Sequence, residues 1–374
     1  MQILKKYIIL IIISIILFSC MNDDILQDFN KLDTNQENKG VFIINEGNFM
    51  YGNASLSYYN PETKEIQNNV FYNTNALPLG DVAQSMTIKD SLGYIVINNS
   101  GKIYIININT FKYTDKITDL ISPRYIFFND NQKAYISDLY SKKVSVYDIF
   151  SKTIIKEIDI NNGNTEFTQH TSEMFVKTNS KIYVNSWSYD NTILIIDAEN
   201  DILTDSIKVG KQPNSMIIDK FNNLWVLCDG GFSGSSYGQE NAKLIKIDTQ
   251  KNSIITEYIF DNISVSPSHL CTNLTKDSLY FIYNSWSGNV QQKGIYKMSV
   301  LSGNLPQNPF ISIETQNVYG LGINPHNGDI YFSDAINYSQ NGVVYRFKSD
   351  ATPVDTFKVG INPSGFCFKS NPRN

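Results

Sequence analysis

The chain has 374 residues, with 31 Lys and Arg against 36 Asp and Glu, for a formal net charge of -5. That length supplies one large core or two ordinary ones. Its basic residues are scattered rather than clustered, so nucleic acid is excluded as a partner, because a phosphate backbone needs a concentrated basic footprint.

Residues 1–19 read as a signal peptide: Lys5 and Lys6 precede an apolar run, Tyr7 to Phe18, too short to cross a bilayer as a helix. The run ends in "LFSC", Leu17 to Cys20, which resembles the lipobox of bacterial lipoproteins. The resemblance implies lipidation of Cys20 and membrane attachment through that lipid; an ordinary cleaved signal with an incidental cysteine is the alternative. Residues 20–39 are polar and acidic, a flexible tether. Asp23 and Asp24 resemble the acidic export signal of Bacteroidetes lipoproteins, which implies an outer-membrane address facing the cell exterior.

From residue 40 to 374 the signal is all strand: short runs of Ile, Val, Tyr and Phe broken by Asn, Asp, Gly and Ser. No segment keeps a helical period for three turns. The runs recur. An apolar pair, a small polar residue and a turn appear at Asn60, Asn107, Asp148, Asp197, Asp248, Ser299 and Lys348, spaced 41 to 51 residues apart. Upstream in each unit stands a run such as "GVFIIN", "AYISD", "IYVNS" or "IYFSD". Loops such as "ISPRYIFF", "KQPNSMII" and "INPSGFCF" lead into a further run.

Each unit reads as four antiparallel strands, and strands such as "ILII" at Ile193–Ile196, apolar on both faces, need a neighbour on each side. Seven sheets stacked radially meet that need. The first unit lacks an inner strand, and the C-terminal "INPSGFCFKS" is an inner strand with no unit to follow. Pairing Phe366–Lys369 beside Val41–Asn45 closes the ring and removes open edges. The expected fold is therefore all-β, a seven-bladed β-propeller closed between its C-terminal strand and its N-terminal blade. A solenoid of the same units is the alternative, which the orphan strands oppose.

"NSWS" occurs twice, at Trp187 and Trp286, closing the second strand of blades four and six. Loops after second strands and loops leading into first strands share one face of a propeller, around the channel mouth, where a rigid scaffold positions function. The former carry Glu46, Asn48, Phe49, Tyr51, Asn98, Asn99, Asp138 and Tyr140 in the first three blades. They continue with Trp187, Tyr189, Asp229, Phe232, Trp286, Asp334, Asn337 and Tyr338. The loops leading inward carry Gln84, Arg124, Tyr125, Gln169, His170, Asn214, His269 and Tyr319.

Rings with amides and carboxylates suit a flat ligand bearing amides or hydroxyls. The expected ligand-binding set is Glu46, Asn48, Phe49, Asn99, Asp138, Tyr140, His170, Trp187, Asp229, Trp286, Asp334 and Tyr338. Tryptophans folded back over blade edges are the structural alternative. The long loop Cys228 to Asn241, with four glycines, reads as a flap or docking segment, or as a tolerated insertion.

The three histidines, His170, His269 and His326, show no metal-pair spacing, and no nucleophile elbow or phosphate loop is present. No catalytic set, metal site or cofactor is expected. Asn98, Asn185 and Asn284 stand where a calcium-dependent propeller hydrolase would need carboxylates, which makes that reading the weaker one. Cys228, Cys271 and Cys367 sit in apolar runs as buried small hydrophobes, with a Cys228–Cys271 bridge left open.

"IYVNS", "AYISD" and "LYFIYNS" resemble the Tyr-Val-Thr-Asn repeat of bacterial surface-layer propellers, and Val41 to Glu65 resembles the opening of a family of Bacteroidetes surface lipoproteins. Some of that family capture cobalamin and pass it to a TonB-dependent transporter. The resemblance implies a non-catalytic surface protein with a corrinoid ligand and an outer-membrane transporter as partner. A surface protein-interaction scaffold is the alternative.

Overall fold

The computed structural model describes residues 40–369 apart from 131, 167, 286–291 and 316. The expected signal peptide, Cys20, the tether and Trp286 lie outside the described residues. Seven four-stranded antiparallel sheets are present. In blades two to seven the strands run outward from the hub in chain order; blade two is Ala83–Lys89, Leu92–Ile97, Lys102–Asn107 and Tyr113–Ile117.

Blade one is assembled from both ends of the chain. Its inner strand is Pro363–Phe368, followed outward by Val41–Asn45, Ser55–Asn60 and Glu65–Gln67. Val41 pairs with Phe368, Phe42 with Cys367 and Asn45 with Pro363. The closing strand thus starts three residues earlier than the sequence indicated, and Lys369 donates its amide to the Gly40 carbonyl just beyond it. The proposed closure holds and the solenoid is ruled out.

The two faces of each strand serve different neighbours, because side chains alternate. In Lys181–Ser186, Ile182 and Val184 pack toward blade three while Tyr183 packs toward blade five. Seven buried clusters result, one at each blade interface, and the seventh joins Val41, Ile43 and Tyr59 of blade one to Tyr331, Val344 and Phe357 of blade seven. The recurrent Lys-x-Tyr of second strands ties neighbours by polar contacts as well. Tyr183 Oη donates to the Thr249 carbonyl at 3.1 Å and Lys181 Nζ to the same oxygen at 2.9 Å. One blade earlier, Lys133 and Tyr135 make the same pair of contacts to Ala198 and Asp201.

One helical turn, Val70–Asn75, departs from the all-strand expectation. It is too short to show a helical period, and it seals the first interface with Val70 and Phe71. Cys228, Cys271 and Cys367 are free thiols, so the open Cys228–Cys271 bridge is absent; burial pushes Cys271 and Cys367 up to about 12.

Tyr59 is central to the closing interface. It stacks on Phe357 with centroids 4.1 Å apart and its hydroxyl donates to Asp355 at 2.8 Å. Replacing Tyr59 with Ala is expected to cost about 3–5 kcal/mol, the usual range for a buried aromatic, read as a lower urea midpoint at unchanged m-value.

Candidate functional site

The inner strands share one irregularity. Near its start each, apart from Phe175–Thr178 of blade four, breaks register against the second strand, as between Ala83 and Ser85, Pro123 and Ile126, Pro213 and Ser215, or Val318 and Leu321. A bulge of this kind puts extra residues opposite one partner and re-aims a side chain. The residues so displaced are Gln84, Arg124 with Tyr125, Asn214, His269, Tyr319 and Ser364, and all of them line one cavity at the channel mouth. A small polar residue of the second strand catches the freed amide. Ser137 Oγ accepts from Tyr125 at 3.0 Å, Ser333 Oγ from Gly320 at 2.8 Å, and Asn185 Oδ1 from Met174 at 2.8 Å. That duty explains the polar residue recurring in "AYISD", "IYFSD" and "IYVNS".

The cavity holds about 390 Å³ and is also walled by Glu46, Glu173, Trp187, Asp229, Asn284 and Tyr338. Its side chains brace one another around the mouth. Tyr338 meets Tyr319 edge-on at 5.8 Å, and the Tyr319 hydroxyl donates to Glu46 at 2.5 Å. Arg124 Nε lies 2.6 Å from Glu173 Oε1, and its guanidinium sits over the Trp187 ring at 5.8 Å. The Trp187 indole then donates to Asp229 Oδ2 at 3.2 Å, and the Gly231 amide donates to Oδ1 at 2.8 Å.

Burial shifts the protons here. Desolvation raises the carboxyl of Glu46 against the opposing Tyr319 bond, and raises that of Glu173 against the Arg124 charge. It lifts Asp229 to about 6 and lowers His269 to about 4. His269 is therefore neutral at pH 7, with Nδ1 3.0 Å from Ser268 Oγ.

Of the expected ligand set, Glu46, Trp187, Asp229 and Tyr338 come together in this wall, whereas seven others do not. Asp138 accepts the Ser122, Tyr140 and Ser141 amides, and Asp334 accepts that of Ile336. Both are Asx-type turn caps. Asn99 binds Asp81 on the rim, and Asn48 braces the Asn53 turn and the Tyr338 carbonyl. Phe49 and Tyr140 point to solvent, 64% and 62% exposed.

His170 is buried, at φ 49, and does not line the cavity. Its place on the wall belongs to Glu173, which sequence reasoning missed. The loop into blade four lacks the proline that marks this position in blades three, five, six and one. The glycine-bearing loop of blade five is pinned. Gly231 pairs with Gln239, Lys211 Nζ holds the Tyr237 carbonyl, and a Cβ at Gly230 would meet the Glu240 carbonyl at 2.3 Å.

Seven blades around a hub and a preformed polar–aromatic mouth define a β-propeller protein with a small-molecule-sized cavity. The family described as "Domain of unknown function (DUF5074)" matches residues 39–369, and the chain belongs to it. No curated protein matches the chain in sequence.

Among solved structures it is similar to a quinonprotein alcohol dehydrogenase-like protein of Bacteroides thetaiotaomicron, at 15% identity and TM-score 0.66 over 89% of this chain and 79% of that one. It is also similar to the periplasmic gluconolactonase of Pseudomonas aeruginosa, at 10% identity and TM-score 0.63 over 89% and 100%. A third is hydrazine synthase of Kuenenia stuttgartiensis, at 16% identity and TM-score 0.61 over 75% and 88%. At such identities the likeness shows the fold alone.

Two outcomes follow from the electrostatics. Removing one partner of a buried ion pair strands the other, so Arg124→Met is expected to cost about 3–5 kcal/mol in a denaturant melt, most of it recovered on adding Glu173→Leu. Asp229 favours its protonated form when folded, with a pKa of about 6 against an ordinary 3.8. Its contribution is therefore full below pH 3.8 and lost as pH rises through 6, on the order of 3 kcal/mol. Between pH 4 and 7 the Asp229→Asn variant is expected to lose less stability than the parent, measured by thermal melts across that range.

Proposed function

We propose that the protein is a non-catalytic binding protein that captures a small molecule in the channel-mouth cavity. The braced belt running from Tyr338 through Tyr319 to Glu46, and from Glu173 through Arg124 and Trp187 to Asp229, carries this reading. A belt whose rings are already fixed binds without a large ordering cost. The volume falls in the range of ligand pockets, enough for a drug-sized molecule or one edge of a larger one.

Each wall carboxylate is engaged by a donor: Glu46 by Tyr319, Glu173 by Arg124 and Asp229 by Trp187. Among the described residues no three His, Cys, Asp or Glu side chains converge as a metal site. Those engagements favour holding a ligand over hydrolysing one, although propellers of similar fold include enzymes such as the gluconolactonase.

The most specific candidate ligand is a corrinoid, with handover to a TonB-dependent transporter and attachment to the outer membrane through Cys20, facing the exterior. A corrinoid edge is fringed with amides, and Gln84, Asn214 and Asn284 offer matching groups on the wall. Titration of the purified protein with cobalamin, followed by absorbance and calorimetry, tests this. Binding is expected to weaken about 30-fold in Trp187→Ala, the loss typical of a central aromatic anchor. An unchanged spectrum with no heat removes the corrinoid.

A further inference from the structure

The charge on the cavity wall is unbalanced. Glu46, Glu173 and Asp229 share it with a single guanidinium, Arg124. Arg124 is committed to Glu173, which is 4% exposed and has no other side-chain donor among the described residues. Among the described residues Glu46 and Asp229 are bonded by neutral donors, a tyrosine hydroxyl for the first and an indole, a backbone amide and the Asn214 side chain for the second, and Glu46 shares the Arg124 charge with Glu173. No lysine is among the wall residues, and His269 contributes no charge at neutral pH. The side-chain oxygen of Asn284, on the same wall, is buried with no hydrogen-bond partner among the described residues.

A carboxylate removed from water without a cation is costly, so the wall is electrostatically incomplete. Trp187, Tyr319 and Tyr338 also line it, and the π-electrons of aromatic rings attract positive charge. An anion entering here would have to separate Arg124 from Glu173 and face two further carboxylates.

We propose that the portion of the ligand seated in this cavity is an organic cation of the alkylammonium class, neutralised by Glu46 and Asp229 and faced by the Trp187 and Tyr319 rings. The inference rests on the cavity being a small-molecule site, and it concerns only the group inserted there, whatever bulk the ligand carries outside.

Choline, its uncharged isostere 3,3-dimethylbutan-1-ol and inorganic phosphate separate the possibilities, each titrated into the full chain by calorimetry and saturation-transfer NMR. Choline is expected to bind at least about tenfold more tightly than the alcohol, with phosphate not binding. Raising the salt should weaken choline and leave the alcohol unchanged. Glu46→Gln and Asp229→Asn should each reduce choline affinity several-fold toward that of the alcohol, with folding verified by near-UV circular dichroism. The comparison of choline with the alcohol on the parent protein stands even where a variant fails to fold. Equal or tighter binding of the alcohol or phosphate overturns the charge assignment and leaves the cavity as a binding site. If none of the three binds, the charge assignment falls, while the binding reading stands or falls with the cobalamin titration.

Discussion

The structure depends on sheets that are apolar on both faces. A strand such as Lys181–Ser186 sends Ile182 and Val184 one way and Tyr183 the other, so its sheet is stable only between two neighbours. An open row of such sheets would leave an apolar face bare at each end. A ring leaves none, and the seventh cluster, built on Tyr59, Tyr331 and Phe357, is where the two ends of the row meet. Interblade burial thus decides the topology, and in blades three and four the tyrosine and lysine contacts to the next blade's turn tie the sheet to its neighbour.

The same architecture separates scaffold from site. Second strands carry the recurring features: buried alternation, a tyrosine tied to the next blade in blades three and four, and a Ser or Asn that accepts an inner-strand amide in blades three, four and seven. Inner strands bulge at their first residues, and the bulged side chains face the hub. Those positions hold Gln, Arg with Tyr, Asn, His, Tyr and Ser in six blades. The wall can therefore change chemistry while the wheel that carries it stays the same.

The wheel was legible in the sequence because its periodicity is a packing requirement, repeated in each unit, and the orphan runs at both ends disclosed the closure. The site was legible where a proline marked the bulge, as at Arg124, Asn214 and His269, and where a second-strand loop turned inward, as at Trp187 and Asp229. It was not legible at Glu173, since blade four reaches the wall through a longer, proline-free loop. Asp138 and Asp334 misled because a turn-capping carboxylate and a ligand-facing one occupy the same place in the repeat. Only the hydrogen bonds tell them apart. Val70–Asn75 left no trace, since one helical turn is shorter than the pattern that would reveal it.

The strand that completes blade one also completes the cavity, for Ser364, Gly365 and Phe366 form part of its wall. Without them Val41–Asn45 would have an unpaired edge and the pocket a breached wall, so one strand finishes both the seam and the cavity. A ligand touching both Ser364 and residues across the hub would act as a clasp on the finished ring. Occupancy would then resist the unzipping of the one seam that no covalent continuity protects.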